Sequence, residues 1–449
     1  MSQFETMKAK VGKFSLANKT ILLPEMGRSG SLLIAAAMRS FGIDAQVMET
    51  YKGLQQGKQY TSGKECFPCQ VTLGDVLYHL DREKELLGEG FNAENYLYFM
   101  AESGGPCRFG MYNKLHRIIL DSMDGYRNTR IASLTADDSY SLGGLMKPEE
   151  KEHFRRTAYV AIVISDVLDR MLWRTRPYEK EKGQAEDYFE KTLDNMCRAV
   201  EIHGRKKRFQ QIYRILEEAF SKVQDIIDPT IPPKPLIGMV GEIYLRRHTK
   251  SNQDLIKLLE SHGGEVVNAT LAEWINYVSY ENMQRAKRQA ILALRQRELK
   301  SLRQQLRTWL SNRIELTYQY FRMDQVYGLA KKYLNIFDDH KIDRVEKQLD
   351  NGRLFSLHVG TEAALSIGGA LEYCRHGFDG IVNVFPFTCM PSTMCSAVLK
   401  PLLDRKQVPY IDAAYDGTYQ PNLEAAIRTF MYQASQHQKK RLARGNTGH

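Results

Sequence analysis

The chain has no run long and apolar enough to cross a bilayer. Its longest apolar stretch, Tyr159 to Leu168, is short and is interrupted by Ser165 and Asp166, whereas a spanning helix needs about 20 residues. The first residues, Met1 to Lys19, are polar and lack the apolar segment of a secretory leader. Cysteine is sparse: seven thiols, an odd number, are spread over 449 residues, and the clustered ones sit beside glycine and proline. A secreted disulfide framework is therefore not expected, and the cytoplasm is the expected compartment. Also missing are a zinc-finger pattern, an internal repeat, an aromatic-rich nucleic-acid motif and a Gly-x4-Gly-Lys-Ser/Thr phosphate loop. The formal net charge of +10 comes largely from Arg285 through Arg307 and from Lys439, Lys440, Arg441 and Arg444. A solvated helix face and a frayed basic terminus account for it without nucleic acid, and an acidic partner protein or an anionic cofactor tail is also compatible.

What is present is strand and helix in alternation. Thr20 to Pro24, Ile43 to Met48, Tyr96 to Met100 and Arg130 to Thr135 read as strands, with helices at Ser31 to Phe41, Val71 to Leu80 and Lys114 to Met123. From Lys147 to Ile227 the strand signals give way to amphipathic helix, and Asp228-Pro229 and Ile231-Pro232-Pro233 mark a boundary. A second set of strands follows at Leu236 to Tyr244, Glu265 to Val267, Leu354 to His358, Gly380 to Phe385 and Val408 to Asp412. The expected fold is α/β: two doubly wound, Rossmann- or flavodoxin-like lobes with mainly parallel sheets, facing each other across a cleft. The expected domains are an N-terminal lobe over 1–146 and a helical linker over 147–235. A C-terminal lobe over 236–435, with a helical insertion at about 280–348, and a flexible basic tail over 436–449 complete the chain.

Three segments place a thiol beside glycine or proline where a strand gives way to a helix. They are Gly63-Lys64-Glu65-Cys66-Phe67-Pro68-Cys69, Glu102-Ser103-Gly104-Gly105-Pro106-Cys107-Arg108-Phe109-Gly110 and Phe385-Pro386-Phe387-Thr388-Cys389-Met390-Pro391. Ligands of open α/β sheets bind beyond the carboxyl ends of strands, and a helix N-terminus favours thiolate over thiol. Two thiols from one lobe and one from the other suit a shared iron–sulfur centre. Three thiolates on a cubane leave one iron open to a further ligand. Cys66-Phe67-Pro68-Cys69 is also the format of a redox dithiol or of half a zinc site completed by Cys389 and Cys395, and buried inert cysteine is a third reading.

Other candidates are weighed against structural roles. Glu242 and Arg246 fall where a strand is expected to end at the cleft, and Arg108 follows a candidate ligand; these three are the candidate catalytic residues, with ion pairing or surface solvation as the alternatives. Gly27-Arg28-Ser29-Gly30 precedes a helix and has the form of an anion-binding turn, though ordinary turn chemistry explains it as well. His358 is expected as a hydrogen-bonded core residue on a strand, and Cys197 and Cys374 as small core residues.

The cysteine segments, together with Val240-Gly241-Glu242-Ile243-Tyr244-Leu245-Arg246, resemble signatures of the 2-hydroxyacyl-CoA dehydratase superfamily. The closer likeness is to its activase-related branch, which includes relatives of double-cubane cluster proteins; it extends from about Thr20 to Met431. The resemblance implies a low-potential, oxygen-sensitive iron–sulfur protein that receives single electrons from a separate ATP-hydrolysing activase. Cys66, Cys107 and Cys389 map onto the family's three ligands to a 4Fe-4S cluster. Cys69 and Cys395 are additional thiols that would extend the site to an 8Fe-9S double cubane. The implied activity is reduction of a small substrate, with an (R)-2-hydroxyacyl-CoA dehydratase subunit or a non-catalytic electron relay as alternatives. The implied assembly is a homodimer or a heterodimer with a related subunit, without nucleic acid or membrane.

Overall fold

The computed structural model of the chain describes residues 10–103, 105–136, 140 and 145–446. Residues 1–9, Gly104 of the second cysteine segment and residues 447–449 of the expected tail lie outside the described residues. The first lobe is built on β1 (Val11–Gly12), β2 (Thr20–Leu23), β3 (Asp44–Val47), β4 (Tyr96–Phe99) and β5 (Arg130–Ala132), in the order β1-β5-β4-β2-β3 and all parallel. Its helices are α1 (Arg28–Ser40), α2 (Leu54–Gln59), α3 (Phe67–Leu87) and α4 (Tyr112–Asp121). Three helices follow: α5 (Pro148–Thr175), α6 (Gln184–His203) and α7 (Phe209–Val223).

The second lobe carries β6 (Leu236–Gly241), β7 (Glu265–Asn268), β8 (Gly380–Pro386) and β9 (Tyr410–Tyr415) in the order β7-β6-β8-β9, again all parallel. Its helices are α8 (Leu255–Ser261), α9 (Leu271–Arg295), α10 (Leu299–Lys331), α11 (Ile342–Gln348), α12 (Glu362–Arg375), α13 (Met390–Arg405) and α14 (Pro421–Asn446). The expected α/β architecture of two parallel-sheet lobes is the one observed. Every residue of β8 is buried, and apart from Asn383 the strand is one apolar run, because helices cover both faces of a parallel sheet.

The helices between the lobes share their core with both. Tyr159 to Val163 and Ile164 are buried on every side of α5, so the chain's longest apolar stretch is an internal helix turn packed all round. Pro148 at its start and Glu149 and Glu150 in its first turn suit a helix N-terminus. Leu33, Ala36 and Ala37 of α1, Leu193 of α6, Leu216 of α7 and Val326 of α10 all join that core. No described helix is long and apolar enough to cross a membrane.

Two expected segments differ. Leu354 to His358 is not a strand: Leu357–Val359 is a 3-10 turn, with the Ser356 hydroxyl accepting from the His358 N–H and Gly360 in a left-handed conformation at φ 74°. His358 is consequently part-exposed, bonded to Glu281 and Arg288, rather than a core residue. The segment after 436 is helical to Asn446 rather than a flexible tail. The fully buried Asp379 holds it there, accepting from His437 and from Arg441, each at 3.0 Å.

The seam between the lobes is polar. Thr50 Oγ1 and His248 Nε2 lie 2.9 Å apart, Lys250 donates to the Thr50 carbonyl, and Asp75 of α3 accepts from the Tyr51 N–H at 2.7 Å. Burial pushes the Asp75 carboxyl up to about 7, and burial pushes His248 down to about 3. Both are neutral in the fold near pH 6, but their linkages have opposite signs. The unfolded chain gives up the Asp75 proton near pH 4 while the fold keeps it to about 7, so Asp75 costs stability as pH rises through that window. The unfolded chain protonates His248 below about 6.5, so His248 costs stability as pH falls below that value. Asp75→Asn is therefore expected to move the pH of greatest urea resistance upward. A displacement of about three pH units at about 1.4 kcal/mol each sets an upper gain of about 4 kcal/mol at pH 8. Urea midpoints across pH 5 to 8 check it: an unchanged optimum would mean that Asp75 is ionised in the fold.

Candidate metal centre

Each of the three principal thiols belongs to the residue that precedes a helix. Cys66 caps α3, Cys389 caps α13, and Cys107 precedes a 3-10 turn, Arg108–Met111, that leads into α4. Pro68 and Pro391 occupy first-turn positions, where the missing N–H costs no hydrogen bond. Cys107 and Cys389 follow the carboxyl ends of β4 and β8, as expected. Cys66 does not follow a strand directly, because the chain leaves β3 at Val47 and passes through α2 first.

Strand order explains why these ends converge. The first sheet reverses direction between β2 and β4 and the second between β6 and β8, and crevices open at such switch points. Cys66, Cys107 and Cys389 line one cavity of about 310 Å³ together with Glu242, Glu362 and Tyr112. Two non-glycine residues of these loops have positive φ: Cys66 at 107° and Thr388, next to Cys389, at 64°. Such conformations in non-glycine residues cost energy and gather at functional sites.

Arg108 ties the three thiol loops together. Its guanidinium donates to the Thr388 carbonyl at 2.6 Å and to the Lys64 carbonyl, so one side chain joins the loops that carry Cys66, Cys107 and Cys389. This makes Arg108 a positioning residue. Glu242 also lines the cavity, but both of its carboxylate oxygens accept backbone N–H groups, from Tyr244 at 3.0 Å and Leu245 at 2.8 Å. Arg246 points elsewhere: fully buried, it donates to the carbonyls of Gly241 and Thr270 and stiffens the turn after β6.

Burial dominates the electrostatics. It pushes the Cys66 thiol up to about 12, against a hydrogen bond with the Tyr112 hydroxyl, and pushes Cys107 and Cys389 higher still, with Glu362 and Glu242 adding to the effect. The helix N-termini do not overcome this, so in the metal-free protein the thiols are protonated. A coordinated cation reverses that balance, because a ligating thiol is deprotonated outright. The Glu362 carboxyl is itself pushed up to about 7 by burial and by Glu242.

Among the described residues, no three His, Cys, Asp or Glu side chains are placed to hold a single metal ion. Tetrahedral zinc requires its ligands to converge on one point. A cubane takes its thiolates at separate irons, so thiols spread around a cavity fit it better. Cys69 and Cys395 do not line the cavity. Cys69 sits in the first lobe's core with its Sγ 3.4 Å from His116 Nε2, and Cys395, within α13, is fully buried in the second lobe's core. Cys197 and Cys374 pack against hydrophobic clusters.

The chain matches no protein-family model and no curated protein sequence. The site therefore stands on its own geometry. That geometry gives the Gly27 to Gly30 turn to packing rather than to an anion: Arg28 forms an ion pair with Glu190, and Ser29 donates to Asp169 at 2.7 Å. It adds two residues that motif reading did not single out, Tyr112 and Glu362. Glu362 follows the helix cap Thr361, a pattern of serine or threonine before an acid that marks helix starts throughout proteins and so does not announce a site.

Proposed function

We propose that the chain is an iron–sulfur protein of the 2-hydroxyacyl-CoA dehydratase type. It takes low-potential electrons from an ATP-hydrolysing activase and delivers them to a small substrate in the cavity between its lobes. The observation that carries this reading is that three cysteines at helix N-cap positions, two from one lobe and one from the other, line one cavity. Cys66, Cys107 and Cys389 would hold a 4Fe-4S cluster, and the open iron of such a cluster would supply electron transfer and a coordination site. Arg108 holds the three loops in register, Tyr112 bonds to the Cys66 sulfur, and Glu242 fixes the turn after β6. The placement of Cys69 and Cys395 in the cores favours four irons over eight. All seven cysteines are free thiols, which suits the cytoplasm.

The (R)-2-hydroxyacyl-CoA dehydratase subunit is the second reading, and the cavity wall favours it. Alongside the thiols and the charged Arg108, Arg155, Glu242, Glu315 and Glu362, much of the lining is apolar, with Phe99, Met100, Leu134, Ile162 and Ile275, a surface that suits the acyl part of a thioester.

A negatively charged cluster in a low-dielectric cleft resists further reduction, because the added charge is poorly solvated. Anaerobic spectroscopy with a cognate activase is expected to show reduction only when activase, ATP and Mg²⁺ are all present. Equal reduction without nucleotide would remove the activase from the scheme, and reduction without turnover of any acyl thioester or small substrate would leave the electron-relay reading ahead.

A further inference from the structure

Two core clusters leave a gap between them. The first lobe packs through Met38, Leu134 and Phe154, and the helices between the lobes pack through Leu33, Val163 and Ala272. Ile34 on α1, Phe99 on β4, Ala158 on α5 and Ile275 on α9 lie against these clusters but are only partly buried. All four line the cavity that the thiols share. The apolar surface they leave uncovered is therefore internal.

The gap follows from the helix sequences. On α5, Phe154, Ala158 and Ile162 recur every four residues, and on α9 Leu271, Ile275 and Val278 recur at intervals of four and three. Each helix thus turns one apolar stripe to the cavity, and the small Ala158 leaves the α5 wall recessed at its middle. From Leu271 to Ser279 the α9 wall covers eight residues, about 12 Å at 1.5 Å per residue. The apolar surface stops at a polar group on the cavity wall. There Arg155 pairs with Glu315 at 2.7 Å, and Gln319 donates to Ser279 at 3.0 Å and to Glu315 at 3.4 Å.

An unfilled apolar space costs stability and does not hold water; a cavity of about 150 Å³ stays dry and takes up benzene. This one, at about 310 Å³, has room for a longer molecule. We propose that its arm between α5 and α9 binds the straight hydrocarbon tail of a ligand with an uncharged head at the thiols, and that Ala158 sets the length of tail admitted. Two facing helix stripes make a space that is long and narrow, which suits a chain better than a fused ring system. Glu242 and Glu362 line the head end and disfavour a free carboxylate there, so the head is of the ester, thioester or alcohol class. The assignment of this ligand as substrate rests on the function proposed above, whereas its binding needs no iron.

Displacement of Nile red from the metal-free full chain by straight alkanols, hexanol to dodecanol, tests the arm. Affinity is expected to rise about fourfold with each methylene and to level off once the arm is full. A carboxylate of equal length is expected to bind about tenfold more weakly or worse. Ala158→Trp is expected to move the levelling point to shorter alkanols while hexanol binds as before. Ala158→Leu is expected to move it less and in the same direction, which keeps the test open if tryptophan disturbs the fold, as urea midpoints would show. No one-to-one binding, a rise that never levels, or one levelling point shared by the unsubstituted chain and both variants would each overturn the proposal. A colourless chain that binds alkanols in this way overturns only the metal reading, and an iron-loaded chain that binds none overturns only the arm.

Discussion

Anaerobically isolated protein is expected to be brown and to contain iron and acid-labile sulfide in comparable amounts, and Cys66→Ala, Cys107→Ala and Cys389→Ala are each expected to lose nearly all of both. The loss should exceed any effect on folding, because removing one small buried sulfur costs on the order of 1 kcal/mol in a core that relaxes around it. Retained secondary structure with lost iron therefore separates ligation from misfolding. The double variant Cys69→Ala and Cys395→Ala is expected to keep its iron, since both thiols lie in hydrophobic clusters away from the cavity. If that variant instead loses half its iron, the centre is larger than four irons. Colourless protein carrying one zinc per chain would defeat the cluster reading altogether.

The second large effect is expected at Arg247, which follows β6. Its guanidinium, 2% exposed, donates to Asp166 at 2.5 Å and Asp169 at 2.7 Å, both on α5. Asp166 also accepts the N–H groups of Leu271 and Ala272 at the start of α9, and Asp169 accepts from Ser29 of α1. One side chain thus joins both lobes to the helices between them. Arg247→Met would leave two buried carboxylates without their counter-charge, a loss of about 3 to 5 kcal/mol. Lysine is expected to rescue little, because a single ammonium cannot span two carboxylates as the planar guanidinium does. The deficit has a pH signature. Burial already pushes Asp169 up to about 6 despite Arg247, and without Arg247 it would rise further, so protonation at pH 5 should recover part of the loss seen at pH 8. Denaturant midpoints of the variant at those two pH values check this, and an equal deficit at both would mean that the carboxylates are solvated.

The parallel sheets were legible in the sequence because their buried strands are short apolar runs separated by helical periodicity, and β2, β4, β6 and β8 lie within a residue or a few of where those runs suggest. Strand β1 was not, since the pairing of Val11 and Gly12 with β5 depends on a partner more than a hundred residues away. Leu354 to His358 carries the composition of a strand, but Ser356 and Gly360 bend it into a turn. The helical end of α14 looked like a frayed basic tail because its anchor, Asp379, is remote in sequence. At the site the thiols were visible as residue types beside turns. The roles of their neighbours were not: Arg108 and Arg246 are equally basic and equally close to motif residues, and only the fold sends one across the thiol loops and the other into the turn after β6.

The hydrogen bond from Arg108 to Thr388 spans 280 residues, and this fixes an order of events during synthesis. When Cys66 and Cys107 leave the ribosome, the third thiol has yet to be made, and domains generally fold from the N-terminus as they emerge. The first lobe can form its sheet and present two sulfurs, but the clasp that aligns them with Cys389 can close only after β8 has been translated and the second lobe has packed against the first. Any centre held by all three thiols would therefore be loaded late, after Cys389 has been made, and a chain truncated before Cys389 would display thiol loops that Arg108 does not hold in register.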